Sequence, residues 1–180
     1  APNVPEWVVL EFACAMAGVI LVTVNPGFQA RELEYVLTQS RAVGLILLPE
    51  FRGNPMLGTA TDVQPKCPEL REVIRLDQWD DFLASGDAFD GELPDPDPMD
   101  PCMIQYTSGT TGFPKGATLT HHNILNNGHN VTRGQNITHE DRLCIPVPFY
   151  HCFGMVMGNL GCTTRGATMV IPSDAFDPYA

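Results

Sequence analysis

The segment at residues 106–116 reads YTSGTTGFPKG and restricts the fold of this chain more than any other stretch. It contains three glycines, four serine or threonine hydroxyls and one lysine, and it is flanked by apolar, strand-like runs at 102–106 and 116–120. Glycines let backbone N–H groups turn towards a ligand, hydroxyls add rotatable donors, and a lysine adds a mobile positive charge. The sequence therefore predicts two strands joined by a loop that binds a polyphosphate. A flexible surface loop is the alternative, which the flanking strands, Pro114 and Lys115 disfavour.

The glycine spacing excludes the two most common phosphate-binding patterns. A Walker loop needs a glycine, four further residues and then Gly-Lys-Ser/Thr. Counted from Gly109, the required second glycine is Pro114, and Gly116 stands where serine or threonine is needed. The dinucleotide pattern Gly-x-Gly-x-x-Gly fails as well, because Gly109, Gly112 and Gly116 are three and four residues apart.

The same loop resembles, without a gap, the phosphate-binding motif of the adenylate-forming (AMP-binding) superfamily, which includes acyl-CoA synthetases, luciferases, coumarate-CoA ligases and peptide-synthetase adenylation domains. Thr120, His121 and Asn123 follow the loop as they do in that family. The resemblance implies that the loop closes over the β- and γ-phosphates of ATP, that Lys115 and Thr107 are catalytic, and that Thr107 helps to hold Mg²⁺. The nucleotide-binding residues that it implies are Thr107, Ser108, Gly109, Thr110, Thr111, Gly112, Pro114, Lys115 and Gly116.

A second motif, PFYHCFGM at residues 148–155, resembles the next motif of that superfamily, whose histidine and aromatic residues border the pocket for the carboxylate substrate. The implied pocket residues are Tyr150, His151, Phe153 and Gly154. An ordinary packed histidine at a helix start is the alternative for His151. Upstream, residues 18–26 and 32–37 resemble the corresponding segments of medium- to long-chain fatty-acyl-CoA ligases.

These resemblances imply an AMP-forming acyl-CoA synthetase, an acid–thiol ligase of fatty-acid and lipid metabolism. A carboxylic acid would react with ATP to give acyl-adenylate and pyrophosphate, and CoA would then displace AMP, so ATP, Mg²⁺ and CoA are expected. Another adenylating enzyme, an aryl-acid–CoA ligase or a luciferase-like protein, is the first alternative.

The second alternative is a non-catalytic nucleotide-binding remnant, because members of the superfamily are several times longer than this chain. Their adenine, ribose, hinge and C-terminal lysine sites match nothing in this sequence. We therefore expect a fragment of the large N-terminal domain, truncated at both ends and inactive by itself.

Composition and charge limit the kinds of partner and binding site that this chain is expected to have. The net charge is −11, and residues 77–100 carry nine acidic residues without a lysine or arginine, which disfavours nucleic-acid binding. The six cysteines form no Cys-x-x-Cys pair, as is typical of reduced thiols, and the five histidines lack the spacing of a zinc site.

The apolar stretch 7–24 contains Glu11, which disfavours a membrane span. We expect a cytoplasmic protein, or one in the mitochondrial matrix or peripheral at the inner membrane face, whose partners are fatty acid, ATP, CoA and a second copy in a homodimer.

Apolar periodicity predicts an α/β fold of mainly parallel sheets covered by helices, and the resemblance makes it part of the large N-terminal domain of an adenylate-forming enzyme. Residues 1–84 and 102–180 are predicted as two α/β portions of one larger domain, connected by the acidic, proline-rich residues 85–101. The run 43–48 is predicted to be covered on both faces and to lie in a different sheet from 102–106. The predicted helices are 5–17, 30–40, one within 54–63, 78–84, 121–132 and 152–161, and the predicted strands are 19–24, 43–48, 72–76, 102–106, 116–120, 143–147 and 167–171.

Overall fold

The computed structural model describes residues 1–107, 114–177 and 179, and each predicted helix and strand has a counterpart there. The helices are α1 (Pro5–Met16), α2 (Ala30–Ser40), α3 (Met56–Val63), α4 (Trp79–Ala84), α5 (His121–Gly134) and α6 (Gly161–Arg165), with a π-helix at Phe153–Leu160 and 3₁₀ turns at Gln64–Lys66 and Leu76–Gln78. The strands are β1 (Leu21–Thr23), β2 (Gly44–Leu47), β3 (Glu72–Arg75), β4 (Pro101–Thr107), β5 (Lys115–Thr120), β6 (Arg142–Cys144) and β7 (Thr168–Val170).

The chain forms two compact units, which divide it differently from the predicted portions. The first unit consists of Ala1 and residues 24–93, and the second consists of residues 2–23 and 94–180. Residues 2–23 belong to the second unit because β1 pairs with β4 in parallel, from Leu21 opposite Met103 to Thr23 opposite Gln105. Between α4 and β4 the chain has no helix or strand, and it is exposed apart from Pro96.

The first unit is built on a parallel pair of strands, β2 and β3, with α2 and α3 beside it. Gln29 begins α2, where its backbone N–H donates to the Glu32 carboxylate over 2.9 Å. One buried cluster joins α2, β2 and α3 through Leu33, Leu37, Leu45, Leu47, Ala60 and Val63. The prediction that the run 43–48 is covered on both faces is wrong within the described residues. Leu45 and Leu47 are buried on one face, whereas on the other face Gly44 is exposed and Ile46 is only half-buried.

The second unit carries a three-stranded sheet in the order β1-β4-β5, with β1 parallel and β5 antiparallel to the central strand β4. β6 and β7 form a separate parallel pair. β2 and β4 therefore lie in different sheets, as the sequence predicts. Among the described residues, three of the four strand pairings are parallel and helices connect most strands, which confirms the predicted α/β fold with mainly parallel sheets.

The predicted helix at 152–161 is a π-helix at Phe153–Leu160, continued by α6. Glycines bring these two helices close to α5. A Cβ on Gly128 would lie 2.8 Å from the carbonyl oxygen of Val156 and 3.1 Å from the backbone nitrogen of Gly161. A Cβ on Gly161 would lie 2.6 Å from Cγ2 of Thr132. The contact between α5 and the following helices therefore depends on glycine at both positions.

A buried carboxyl connects α1 with the π-helix. Glu11 is only 4% exposed and accepts a hydrogen bond from Nδ2 of Asn159 over 3.0 Å. Burial raises the pKa of Glu11 to about 8, and the hydrogen bond from Asn159 opposes this in part. Glu11 Oε1 and Asn159 Oδ1 have no partner in the described part of the chain. With a folded-state pKa of about 8, the carboxyl group keeps its proton at neutral pH.

Gly128→Ala is expected to lower the free energy of unfolding by about 1–3 kcal/mol, because the added methyl group overlaps the Val156 carbonyl. Gly134→Ala is the matched control in the same helix, since nothing lies within 4 Å of its added Cβ. We expect the control to be neutral or to stabilise by up to about 1 kcal/mol. Urea unfolding of the complete gene product measures both variants, and equal losses would contradict the close approach of the helices.

Glu11 makes stability depend on pH. Its pKa is about 8 in the folded protein against an ordinary 4.5, so the folded state holds a proton that the unfolded state releases, and stability falls as pH rises between these values. The slope from one such group is about 1.36 kcal/mol per pH unit. Glu11→Gln keeps the shape and has no proton to lose, so its stability relative to the wild type should grow with pH and level off above the folded pKa. Urea unfolding from pH 5 to 9 is the measurement, and parallel curves for the two proteins would contradict a neutral Glu11.

Candidate functional site

Thr107 and Lys115 face each other where β4 and β5 end at the predicted phosphate loop. The antiparallel register sets Tyr106 opposite Gly116 and Thr107 opposite Lys115. The Thr107 hydroxyl donates to the carbonyl oxygen of Lys115 over 3.5 Å, and both residues are exposed. Side chains of directly opposite residues lie on the same face of a sheet, with Cβ atoms about 4.5–5.5 Å apart. The two residues predicted to be catalytic therefore present a hydroxyl and an ammonium group on one face.

Of the other predicted loop residues, the structure describes Pro114 and Gly116. Pro114 is half-buried just before β5. A Cβ on Gly116 would lie 2.8 Å from Cγ2 of Ile104 and 3.3 Å from Cζ of Tyr106. Gly116 thus has a packing reason to lack a side chain, and its contact with a nucleotide stays a prediction. The predicted loop residues that lie outside the described residues are Ser108, Gly109, Thr110, Thr111 and Gly112.

Residues 147–151, which we call the pocket turn, include the first half of the second motif and are held in place by the side chain of Asn3. The Asn3 side chain donates from Nδ2 to the Val147 carbonyl oxygen and accepts at Oδ1 from the Phe149 backbone N–H, both over 2.9 Å. The Phe149 ring is fully buried, with its centroid 6.0 Å from that of Trp7. A Cβ on Gly154 would overlap the Pro148 carbonyl oxygen, so this predicted pocket residue packs directly against the turn.

The three remaining predicted pocket residues stand at the tip of the turn and just beyond it. His151 is exposed, and its Nδ1 accepts a hydrogen bond from the Phe153 backbone N–H over 3.1 Å. A neutral His151 therefore carries its proton on Nε2, where it can donate. The Phe153 side chain is 51% exposed, and burial raises the pKa of the half-buried Tyr150 phenol. An N–H donor beside exposed aromatic surface is a suitable border for an acid with an apolar chain.

Gln105 connects the two predicted parts of the site, and the sequence analysis did not single it out. It lies on β4 two residues before Thr107, and its Nε2 donates to the Tyr150 carbonyl oxygen over 3.1 Å. Its one signal in the sequence is an amide inside the apolar run 102–106. Asn3, which was missed as well, lies in the four residues before α1, where no periodic pattern marks it. The structure therefore places the strand that leads into the phosphate loop against the pocket turn.

The described residues were compared with the requirements of a metal site, a membrane-spanning helix and a disulfide. Among residues 1–107, 114–177 and 179, no three His, Cys, Asp or Glu side chains are grouped so that they could hold a metal ion. In the same described ranges, no helix is long and apolar enough to cross a membrane. All six cysteines are free thiols.

Comparisons with known proteins agree with the motifs. The family model described as AMP-binding enzyme matches residues 1–180. The chain is 40% identical, over 99% of its length and 37% of the relative's, to YngI of Bacillus subtilis (strain 168), whose name gives acyl-CoA synthetase as a provisional activity. It is 36% identical to the mitochondrial medium-chain acyl-CoA ligase ACSF2 of Danio rerio, over 99% of the chain and 34% of that protein. The chain therefore spans about a third of the length of these relatives.

A solved structure has the same fold. The long-chain-fatty-acid-CoA ligase FadD1 from Archaeoglobus fulgidus superposes with a TM-score of 0.82 and 28% sequence identity, over 98% of this chain and 34% of that one. The predicted superfamily and the predicted fold class are both confirmed.

Proposed function

The chain belongs to the AMP-binding enzyme family, and we propose that the protein which carries it is an acyl-CoA synthetase that activates a fatty acid with ATP and passes the acyl group to CoA. The observation that carries the proposal is the register of β4 and β5, which sets Thr107 opposite Lys115 at the mouth of a Gly/Ser/Thr loop. The second support is the hydrogen bond of Gln105 to the pocket turn, which holds a border suited to an acid next to β4, the strand that precedes that loop.

The first half-reaction is a displacement at the α-phosphorus of ATP. A carboxylate oxygen of the acid forms a bond to the α-phosphorus, the bond to the bridging oxygen breaks, and pyrophosphate leaves with that electron pair. In the second half-reaction the CoA thiol attacks the acyl carbon, loses its proton and displaces AMP. Because the first step builds negative charge on the departing pyrophosphate, donors and a cation fixed near the loop stabilise its transition state more than its ground state.

Lys115 and Thr107 have distinct roles in this step. Lys115 supplies the cation that interacts with the phosphates, and its length lets it follow the charge as pyrophosphate departs. The exposed Thr107 hydroxyl is a hard oxygen ligand that suits Mg²⁺, which binds through few protein groups together with substrate phosphates. When bound, Mg²⁺ neutralises part of the phosphate charge. The lack of a metal-binding cluster among the described residues is compatible with a site that phosphates complete.

The pocket turn and Phe153 select the acid. The exposed Phe153 ring offers apolar surface for an alkyl chain, and the Nε2–H of His151 can donate to the carboxylate. We propose a medium- to long-chain fatty acid, since the names of ACSF2 and FadD1 give medium-chain and long-chain substrates for those proteins. An aryl-acid or luciferase-like activity is less favoured, because both relatives and FadD1 carry names of acyl-CoA synthetases or ligases.

The expected compartment and assembly remain part of the proposal. Free thiols suit the cytoplasm or the mitochondrial matrix, and the name of ACSF2 places that relative in mitochondria. A homodimer stays a prediction.

Lys115→Ala tests the role of the loop. We expect pyrophosphate release by the complete gene product at saturating ATP to slow by about 10²–10³, with a smaller change in the KM for ATP, because the cation acts on charge that grows in the transition state. The matched control is Lys66→Ala, since Lys66 is the other lysine of the chain and forms an exposed ion pair with Glu34 at 3.1 Å. The control should keep the wild-type rate, and an unchanged rate for Lys115→Ala would contradict the assignment.

Phe153→Leu tests the acyl side of the site. An apolar surface discriminates by about 1–3 kcal/mol per methylene, so we expect a shifted chain-length profile of kcat/KM over a series of fatty acids while the KM for ATP stays near the wild-type value. His151→Ala should lower kcat/KM for every acid of the series, because a donor to the carboxylate is lost.

Phe176→Leu is the control for this experiment, because it makes the same change at another exposed phenyl group of the second unit, 62% exposed and outside the motif. The control should leave the chain-length profile unchanged. If the pocket variants keep the profile and change only the KM for ATP, the motif contacts the nucleotide instead of the acid.

A further inference from the structure

Gln105 is a buried polar side chain in the centre of a sheet, where an apolar residue would cost less. It is 8% exposed and lies on β4 between its register partners Thr23 on β1 and Ala117 on β5. Burying an amide is unfavourable unless it forms hydrogen bonds. Its stronger hydrogen bond goes to the Tyr150 carbonyl oxygen over 3.1 Å, and a longer one of 3.5 Å goes to the Tyr106 carbonyl. Gln105 Oε1 has no partner in the described part of the chain.

The direction of this side chain brings the two parts of the site together. Residues two apart on a strand point to the same face, so Gln105 and Thr107 share one face of the sheet. Tyr150, which accepts from Gln105, directly precedes His151. One amide therefore fixes the distance between the residues that face the phosphates and the residue that faces the acid.

The pocket turn does not need Gln105 in order to form. Asn3 holds the backbone of Val147 and Phe149, and the buried Phe149 ring packs against Trp7. Those contacts hold the beginning of the turn, whereas Gln105 holds its end at Tyr150. Removing the Gln105 amide should leave the fold in place and free the end of the turn to move relative to β4.

We propose that Gln105 is a positioning residue, whose amide aligns the fatty-acid carboxylate with the α-phosphorus of ATP by holding the Tyr150 carbonyl next to β4. This inference rests on the proposed function. The alignment matters only while two separate reactants must meet. Once acyl-adenylate exists, acid and nucleotide are joined covalently, and the position of the turn relative to β4 no longer limits the reaction.

The test separates the two half-reactions in the complete gene product. Gln105→Met keeps most of the length of the side chain and loses the donor. We expect ATP–pyrophosphate exchange with a fatty acid to fall on the order of 10²-fold through kcat, because a misplacement of about 1 Å is enough for such a loss. The KM for ATP should change little. Formation of acyl-CoA from supplied acyl-adenylate and CoA should stay within about twofold of the wild-type rate, since no alignment of separate acid and ATP remains to be lost.

A matched control removes another buried polar group from the same sheet. Thr23 is 4% exposed, is the register partner of Gln105, and has a hydroxyl with no partner among the described residues. Thr23→Val keeps the shape of that side chain, so both half-reactions should keep their wild-type rates. Gln105→Asn is the second test variant, because it keeps a buried amide and withdraws it from Tyr150 by one methylene. It should show the same split between half-reactions with a smaller loss, and it carries the test if Gln105→Met does not fold.

The outcomes distinguish this inference from the proposed function. If the wild-type protein makes no acyl-adenylate from any fatty acid, the proposed function is wrong. If the wild type does so and folded Gln105 variants lose both half-reactions equally, Gln105 serves the structure in general and the inference is overturned. Wild-type exchange rates in both variants would overturn it as well.

Discussion

The antiparallel pairing of β4 with β5 is the interaction on which the candidate site depends. β4 is the central strand of its sheet, bonded to β1 on one edge and to β5 on the other, so its position is fixed from both sides. The register of this pairing places Thr107 opposite Lys115, and a slip by one residue would turn one of the two side chains to the other face. Gly116 supports the register, because the Ile104 side chain and, less closely, the Tyr106 ring occupy the space that a side chain at position 116 would need.

Buried polar side chains mark the interior of the second unit, where Glu11, Thr23, Gln105 and Asn159 are all less than a tenth exposed. Each has an atom without a partner among the described residues, which is costly for the folded state. Glu11 can lower its cost by keeping a proton, because neutral carboxyl groups are less costly to bury than charged ones. The Gln105 amide has no such proton to gain, so its presence in the sheet is better explained by its hydrogen bond to the Tyr150 carbonyl than by a contribution to stability.

The sequence predicts the order of helices and strands because local signals mark most of them. α2 begins and ends as predicted, at Ala30 and Ser40, since an amphipathic repeat and polar flanking residues coincide there. The π-helix was predicted as an ordinary helix, because apolar periodicity does not register the wider turn. The pairing of β1 with β4 joins residues some eighty positions apart, and no local sequence pattern predicts it. Lys115 and His151 could be predicted because each lies in a local motif. Gln105 could not, because its importance depends on a hydrogen bond to Tyr150, which is distant in the sequence.

The local structure around the loop explains why one lysine carries so much of the proposed chemistry. In many phosphate sites the loop opens a helix, whose N-terminal dipole contributes about half a positive charge. Here the chain enters β5 instead, and α5 begins only at His121, at the far end of that strand. The net charge of these 180 residues is −11, which offers an anion no long-range attraction. In the proposed function, positive charge at the loop comes from Lys115 and from cations that arrive with the nucleotide. A group in that position would act most strongly when pyrophosphate charge is greatest.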